Sequence, residues 1–101
     1  MTPENEVNSF EHKLYYARVN GKIDFKNIKR EIKNDAEYIC IECTNNKSAN
    51  SIKKLFTENN EYSHIEFDSI KEEKSNIYVY FIIHNHVKSN GFVDTREYES
   101  L

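Results

Sequence analysis

The sequence predicts one α+β domain, built on a single mixed β-sheet with two helices packed mainly on one face. Two segments repeat their apolar residues at helical spacing, and five short runs have the apolar or alternating pattern of strands. The last three strands would follow one another as an antiparallel meander. The predicted order is therefore β-α-β-α-β-β-β within a single domain of residues 1–101, with 1–9 as a polar tail or lead-in.

Composition sets the broad class. A chain of 101 residues with 38% hydrophobic and 31% charged residues is typical of one soluble globular domain. Two glycines and one proline are too few for a glycine-rich phosphate loop. The polar, acidic N-terminus lacks a secretory signal, and the longest apolar run, at 77–83, is too short to cross a bilayer. We therefore expect a cytoplasmic protein.

The N-terminal third predicts a strand followed by a helix. Residues 14–19 (LYYARV) have the aromatic and β-branched content of a strand, and Asn20-Gly21 offers a turn. Asp24 is a suitable helix N-cap. The apolar positions after it recur as one helix face would, at Phe25, Ile28 and Ile32. A helix is therefore expected over 24–34.

The rest of the chain predicts one helix and four strands. Residues 38–43 (YICIEC) are apolar on both faces except for one Glu, as in a central strand. Ser48 can cap a second helix. Its apolar positions are Ala49, Ile52, Leu55 and Phe56. Residues 64–68 alternate polar and apolar, and the long run 77–87 is followed by an Asn-Gly turn and a return strand at 92–98. No internal repeat is apparent.

Charge is distributed unevenly along the chain. Residues 12–57 carry ten Lys and Arg against five Asp and Glu, whereas 58–101 carry four against nine. Such asymmetry orients a protein on a charged partner. The exposed carboxylates expected to face a basic protein are Glu66, Asp68, Glu72, Glu73, Asp94 and Glu97.

A second candidate surface is a strip of tyrosine and histidine on the long strand. Residues two apart on a strand share a face. Tyr78, Tyr80, His84 and His86 therefore point the same way. Two imidazoles so placed could bind a metal or act as acid and base, while amphipathic Tyr and His side chains also suit a protein interface.

The pair Cys40 and Cys43 forms a C-x-x-C sequence. In redox sites such a pair lies at a helix N-terminus. Here it lies inside a predicted strand, where residues three apart point to opposite faces and cannot share an ion or a disulfide. We expect two small buried side chains, and no metal or other cofactor is predicted.

The strings GKIDF and YICIECTNNKSANSIKKLF are loosely similar to the PD-(D/E)xK nuclease core. By that resemblance Asp24 and Glu42 would hold a divalent metal ion that activates water. Thr44 stands where that pattern places a lysine. The interpretation without metal is that Asp24 caps a helix and Glu42 pairs with a nearby Lys or Arg.

A third possibility concerns nucleic acid. The predicted helix over 24–34 would carry a basic face able to contact phosphates. Its lysines are Lys22, Lys26, Lys29 and Lys33. Solvated lysines on a surface helix are the alternative interpretation.

No specific catalytic motif occurs in the sequence, which favours a binding protein over an enzyme. The leading hypothesis is a small non-enzymatic protein, of bacterial or phage origin, that binds and inhibits a partner protein such as a basic toxin or nuclease. Immunity proteins, antitoxins and phage-encoded inhibitors of host defence are of this kind. The alternatives are the metal-dependent nuclease using Asp24 and Glu42 and the nucleic-acid-binding module. A homodimer formed through an open sheet edge is a further alternative.

Overall fold

A computed structural model describes residues 2–58 and 61–84. Its elements are α1 (Pro3–Val19), β1 (Asn27–Lys33), β2 (Ala36–Cys43), α2 (Asn46–Thr57), β3 (Ile65–Glu73) and β4 (Asn76–Ile83). The four strands form one sheet in the spatial order β1-β2-β4-β3, and every described pairing is antiparallel. The predicted α+β class is confirmed, although the described sheet is antiparallel rather than mixed. The predicted Asn-Gly turn and the return strand at 92–98 lie outside the described residues.

Both helices pack on one face of the sheet, as predicted. Along β4 the side chains that face the helices are apolar and buried: Ile77, Val79, Phe81 and Ile83. Phe10 of α1 and Phe56 of α2 both contact the Phe81 ring, with centroid distances of 4.9 and 5.5 Å. The opposite face of the sheet, called here the open face, has no described helix over it.

The predicted strand at 14–19 is wrong, because these residues form the last turns of α1. The helix begins with an N-cap at Thr2, whose hydroxyl accepts the N–H of Asn5, and with Pro3 in the first turn. Its buried apolar residues recur every three or four positions: Val7, Phe10, Leu14 and Ala17. That periodicity is visible only when residues 3–19 are considered together.

The predicted helix over 24–34 is also wrong, because residues 27–33 form β1. Asn34 and Asp35 have φ angles of 51° and 65°, so they form a two-residue turn between Lys33 and Ala36. This turn commits both flanking segments to a β-hairpin. Asp24 therefore caps no helix. It lies in the loop before β1, where its carboxylate accepts the N–H of Phe25 at 3.0 Å.

The remaining predicted elements that lie within the described residues are confirmed, with shifted ends. The N-cap of α2 is Asn45 rather than Ser48, and the Asn45 side chain accepts the Ser48 N–H at 2.8 Å. The predicted strand at 64–68 extends to Glu73, so the turn before β4 is shorter than expected.

The described fold consists of two helix-strand-strand units, α1-β1-β2 and α2-β3-β4, whose strands pair in equivalent ways. The hairpin pairs Lys33↔Ala36 and Glu73↔Asn76 lie 40 positions apart. The pairing of β2 with β4 shows the same relation. Glu37 pairs with Ile83, and the residues 40 positions after Glu37 and 40 positions before Ile83 are Ile77 and Cys43, which also pair with each other. The structure thus contains a repeat that is not apparent in the sequence. The edge strands β1 and β3 occupy equivalent places in the two units.

Candidate functional site

The candidate site is the edge strand β3, where four acidic residues are exposed. They are Glu66, Asp68, Glu72 and Glu73. Lys71 is the only basic residue within the strand, so the formal charge of β3 is −3. The structurally equivalent strand β1 has three Lys and Arg against one Glu. The sheet therefore has an acidic edge and a basic edge. Asp94 and Glu97 lie outside the described residues.

Local partners hold two of these carboxylates in place. The Glu66 carboxylate lies 2.9 Å from Nε2 of His84, and the Ser69 hydroxyl donates to Asp68 at 2.9 Å. Within the described part of the chain, no basic side chain forms a salt bridge with Glu72 or Glu73. The acidic edge therefore keeps exposed negative charge that a partner could neutralise.

A β-bulge shapes this edge. The register between β3 and β4 shifts between Phe67 and Ser69, with Asp68 as the extra residue. Bulges and charged side chains both discourage an edge strand from pairing with another copy of itself. The acidic edge is therefore poorly suited to the homodimer alternative.

The predicted tyrosine and histidine strip is only partly available. Tyr78, Tyr80 and His84 do lie on the open face, whereas His86 is outside the described residues. Tyr80 is only 8% exposed. The Nζ atoms of Lys33 and Lys71 lie over its ring, 5.0 and 5.4 Å from the centroid. Tyr80 thus acts as a platform for lysine side chains more than as a contact surface.

The two cysteines lie on opposite faces of the sheet, as predicted. Cys40 pairs in register with Tyr80 on the open face, and Cys43 belongs to the helix-covered core. Both are buried free thiols. Burial raises the pKa of Cys40 and raises that of Cys43 to about 11, so both thiols stay protonated at neutral pH.

The residues of the nuclease resemblance lie near one end of β2. The Lys26 N–H donates to the Glu42 carbonyl at 2.7 Å, and the Lys26 ammonium lies 3.9 Å from the Glu42 carboxylate. Among the described residues, no group of three or more His, Cys, Asp and Glu side chains could hold a metal ion. The metal-dependent site at Asp24 and Glu42 stays a prediction.

The predicted basic helix face does not exist as a helix. Lys29 and Lys33 lie on the open side of β1, whereas Lys22 and Lys26 precede that strand. Glu31 lies between the two strand lysines, 3.4 and 3.5 Å from their ammonium groups. Part of the basic charge is therefore compensated locally, and nucleic-acid binding by this surface stays a prediction.

Sequence reasoning missed a buried polar cluster that fastens α1 to the start of β3. The Glu6 carboxylate accepts the His64 N–H at 2.8 Å and the Ser63 hydroxyl at 2.7 Å, and it lies 3.0 Å from Nδ1 of His64. Glu6 and His64 are 4% and 5% exposed. No spacing rule connects residues 58 positions apart, so the sequence offers no signal for this contact.

Sequence reasoning also missed an aromatic pocket beside β3. Its volume is about 240 Å³. It is lined by Phe10, Phe56, Thr57, Tyr62, Ile65, Glu66, Phe67 and Phe81. These residues come from both helices, the loop before β3 and two strands, so only the tertiary fold brings them together.

Comparisons with other proteins give no functional assignment. No family model, curated protein or solved structure matches the chain. None of the described helices combines the length and apolar character needed to span a membrane.

Proposed function

We propose that this protein is a non-enzymatic binding protein that inhibits a basic partner protein in the cytoplasm through the acidic edge formed by β3. Immunity proteins, antitoxins and phage-encoded inhibitors of host defence are the classes of function to which it would belong. The partner would be a toxin, a nuclease or another enzyme whose active surface is positively charged.

One observation carries this proposal. Four exposed carboxylates lie on a single edge strand, and the equivalent edge of the sheet has the opposite charge. A surface of this kind attracts a basic partner to one edge of the sheet. Inhibition would follow from steric coverage of the partner's surface, with no chemical step.

The partner can be sought by affinity capture of the tagged protein from its host, followed by mass spectrometry and analysis for nucleic acid. Its association rate constant is then measured with Glu72→Lys and with Asp35→Lys. Both substitutions change the charge by two units. Asp35 lies in the turn between β1 and β2, at the opposite edge of the sheet.

We expect Glu72→Lys to slow association by about tenfold at low salt, since complementary charge accelerates encounter by roughly 10- to 1000-fold. Asp35→Lys should leave the rate within about twofold of the parent. Equal effects of the two substitutions would refute the assignment of the surface. Capture of nucleic acid alone would contradict the proposed function and favour cleavage assays with Asp24→Ala and Glu42→Ala.

A further inference from the structure

The aromatic pocket lies beside β3, which is an edge strand of the sheet. Three consecutive residues of the strand line it: Ile65, Glu66 and Phe67. Ile65 and Phe67 belong to the helix-covered face, which also includes Phe81. The pocket therefore lies on the helix side of an edge strand, next to the side on which β3 has no described partner.

Ahead of the bulge at Asp68, the backbone at this edge has groups with which another strand could pair. The His84 N–H donates to the His64 carbonyl at 2.6 Å, so residue 64 directs its backbone groups towards β4. By the alternation of an antiparallel ladder, Ile65 and Phe67 direct their N–H and C=O groups outward. No strand of the described chain pairs with that side of β3.

The two sides of this edge differ in chemistry. On the helix side, the pocket presents the rings of Phe10, Phe56 and Phe81, and Lys53 lies over Phe67, with its Nζ 4.8 Å from the ring centroid. On the open side, Glu66 presents a carboxylate. A strand added beside residues 65–67 would therefore meet an apolar environment on the helix side and the Glu66 carboxylate on the open side.

We propose that an extended segment of the partner protein adds to the outer edge of β3, placing an aromatic or large aliphatic side chain in the pocket and a basic side chain beside the Glu66 carboxylate on the open face. The inference rests on the proposed function and specifies the mode of recognition. Strand addition of this kind takes its affinity from main-chain hydrogen bonds and its specificity from pockets for alternate side chains. A second copy of the chain is a poor occupant, since two β3 strands would bring together two charges of −3.

The test uses the full-length protein and a synthetic probe, the capped peptide Lys-Val-Lys-Phe-Lys-Val-Lys. Binding is followed by amide chemical shifts, which should change in β3 and around the pocket. Replacing the probe's Phe by Ala should weaken binding by roughly 10- to 100-fold, or about 1.4–2.8 kcal/mol, because the pocket would lose a buried aromatic side chain. N-methylation of one alternate set of probe amides should abolish binding, whereas N-methylation of the other set should leave binding intact.

A protein variant tests the pocket separately. Thr57→Trp fills the mouth of the pocket from the end of α2, and Asn50→Trp places the same ring two turns earlier on that helix. The Thr57→Trp protein should bind the Phe and Ala probes equally weakly, and the Asn50→Trp protein should bind them as the parent does. Circular dichroism confirms that both variants fold.

The outcomes separate this inference from the proposed function. If Glu72→Lys slows association of the natural partner but Thr57→Trp leaves its affinity unchanged, the pocket inference is overturned while the proposed function stands. If the probe binds with the expected Phe dependence but no basic partner uses the acidic edge, the proposed function fails and the pocket remains a binding site. Shift changes confined to other surfaces, or probe-independent dimerisation through β3, would overturn the inference.

Discussion

Replacing Glu6 by Gln tests the physical account of the buried cluster that joins α1 to β3. Burial alone would raise the pKa of the Glu6 carboxyl, but hydrogen bonds from the His64 N–H, the Ser63 hydroxyl and the His64 ring lower it from 4.5 to about 2. The charged form of Glu6 is therefore bound more tightly in the folded protein than in the unfolded chain. Glu6→Gln keeps the shape of the side chain and removes that charge.

The magnitude follows from the pKa shift. Each pKa unit corresponds to about 1.4 kcal/mol, so the ionised carboxylate contributes on the order of 3 kcal/mol to the free energy of unfolding. Hydrogen bonds to a charged group are worth about 1.5–3 kcal/mol each before desolvation is subtracted, which gives the same order. We expect Glu6→Gln to lower the free energy of unfolding at pH 7 by about 2–3 kcal/mol.

The pH dependence has a definite sign. Because the folded-state pKa of Glu6 is depressed, its stabilisation is complete above the unfolded-state pKa of about 4.5 and is lost as pH falls towards 2. Urea unfolding of parent and variant at several pH values should show a gap that is constant above pH 5 and closes below 4.5. Glu11→Gln, on the same helix, is the control. A gap that does not change with pH, or one below 0.5 kcal/mol at pH 7, would refute the reasoning.

Three further predictions concern the core, the thiols and the first hairpin. Phe10→Ala should lower the free energy of unfolding by about 3–5 kcal/mol, because Phe10 is fully buried and its ring stacks on Phe56 at a centroid distance of 3.9 Å. The control Tyr16→Ala, at an exposed position, should change it by no more than about 0.5 kcal/mol. Similar losses at the two positions would contradict this packing. Both thiols should react with a thiol reagent far more slowly at pH 7 in the native protein than in urea, since they are buried and their pKa values are raised; equal rates would show that the core is open. Asp35→Gly should raise the free energy of unfolding by up to about 1 kcal/mol, because glycine adopts a φ near 65° without strain; destabilisation would contradict the turn geometry.

The sequence was most informative where one short segment determines its own structure. The apolar runs that became β2 and β4, the alternating run that became β3 and the 3.6-residue period of α2 predict those elements correctly. Each of these elements buries a face that the pattern marks. Two helices on one side of the sheet are confirmed, although the pattern that predicted the first of them, over 24–34, belongs to a strand.

The first two elements were predicted wrongly because short windows are ambiguous. The run Leu14–Val19 has strand propensity, but the helical period of α1 and its cap at Thr2 decide the outcome over the whole segment. Ile28 and Ile32 fit a helical face as well as one side of a strand. The backbone conformation of Asn34 and Asp35 resolves that ambiguity, and both residues are also common at helix ends.

The candidate site was predictable in part. The acidic character of residues 66–73 is visible in the sequence, but their position on an edge strand depends on β4 lying between β2 and β3. The aromatic pocket and the contact of Glu6 with His64 join residues far apart in the chain, and no local pattern encodes such contacts.

The most direct test of the acidic edge is site-specific photo-crosslinking in the native host. A photoreactive amino acid is placed at Glu72 on β3 or at Asp35 in the turn at the opposite edge. The proposed function predicts that one basic protein crosslinks in high yield at Glu72 and not at Asp35. Equal yields at both positions, or crosslinks only to nucleic acid, would contradict the claim that the acidic edge is the partner-binding surface.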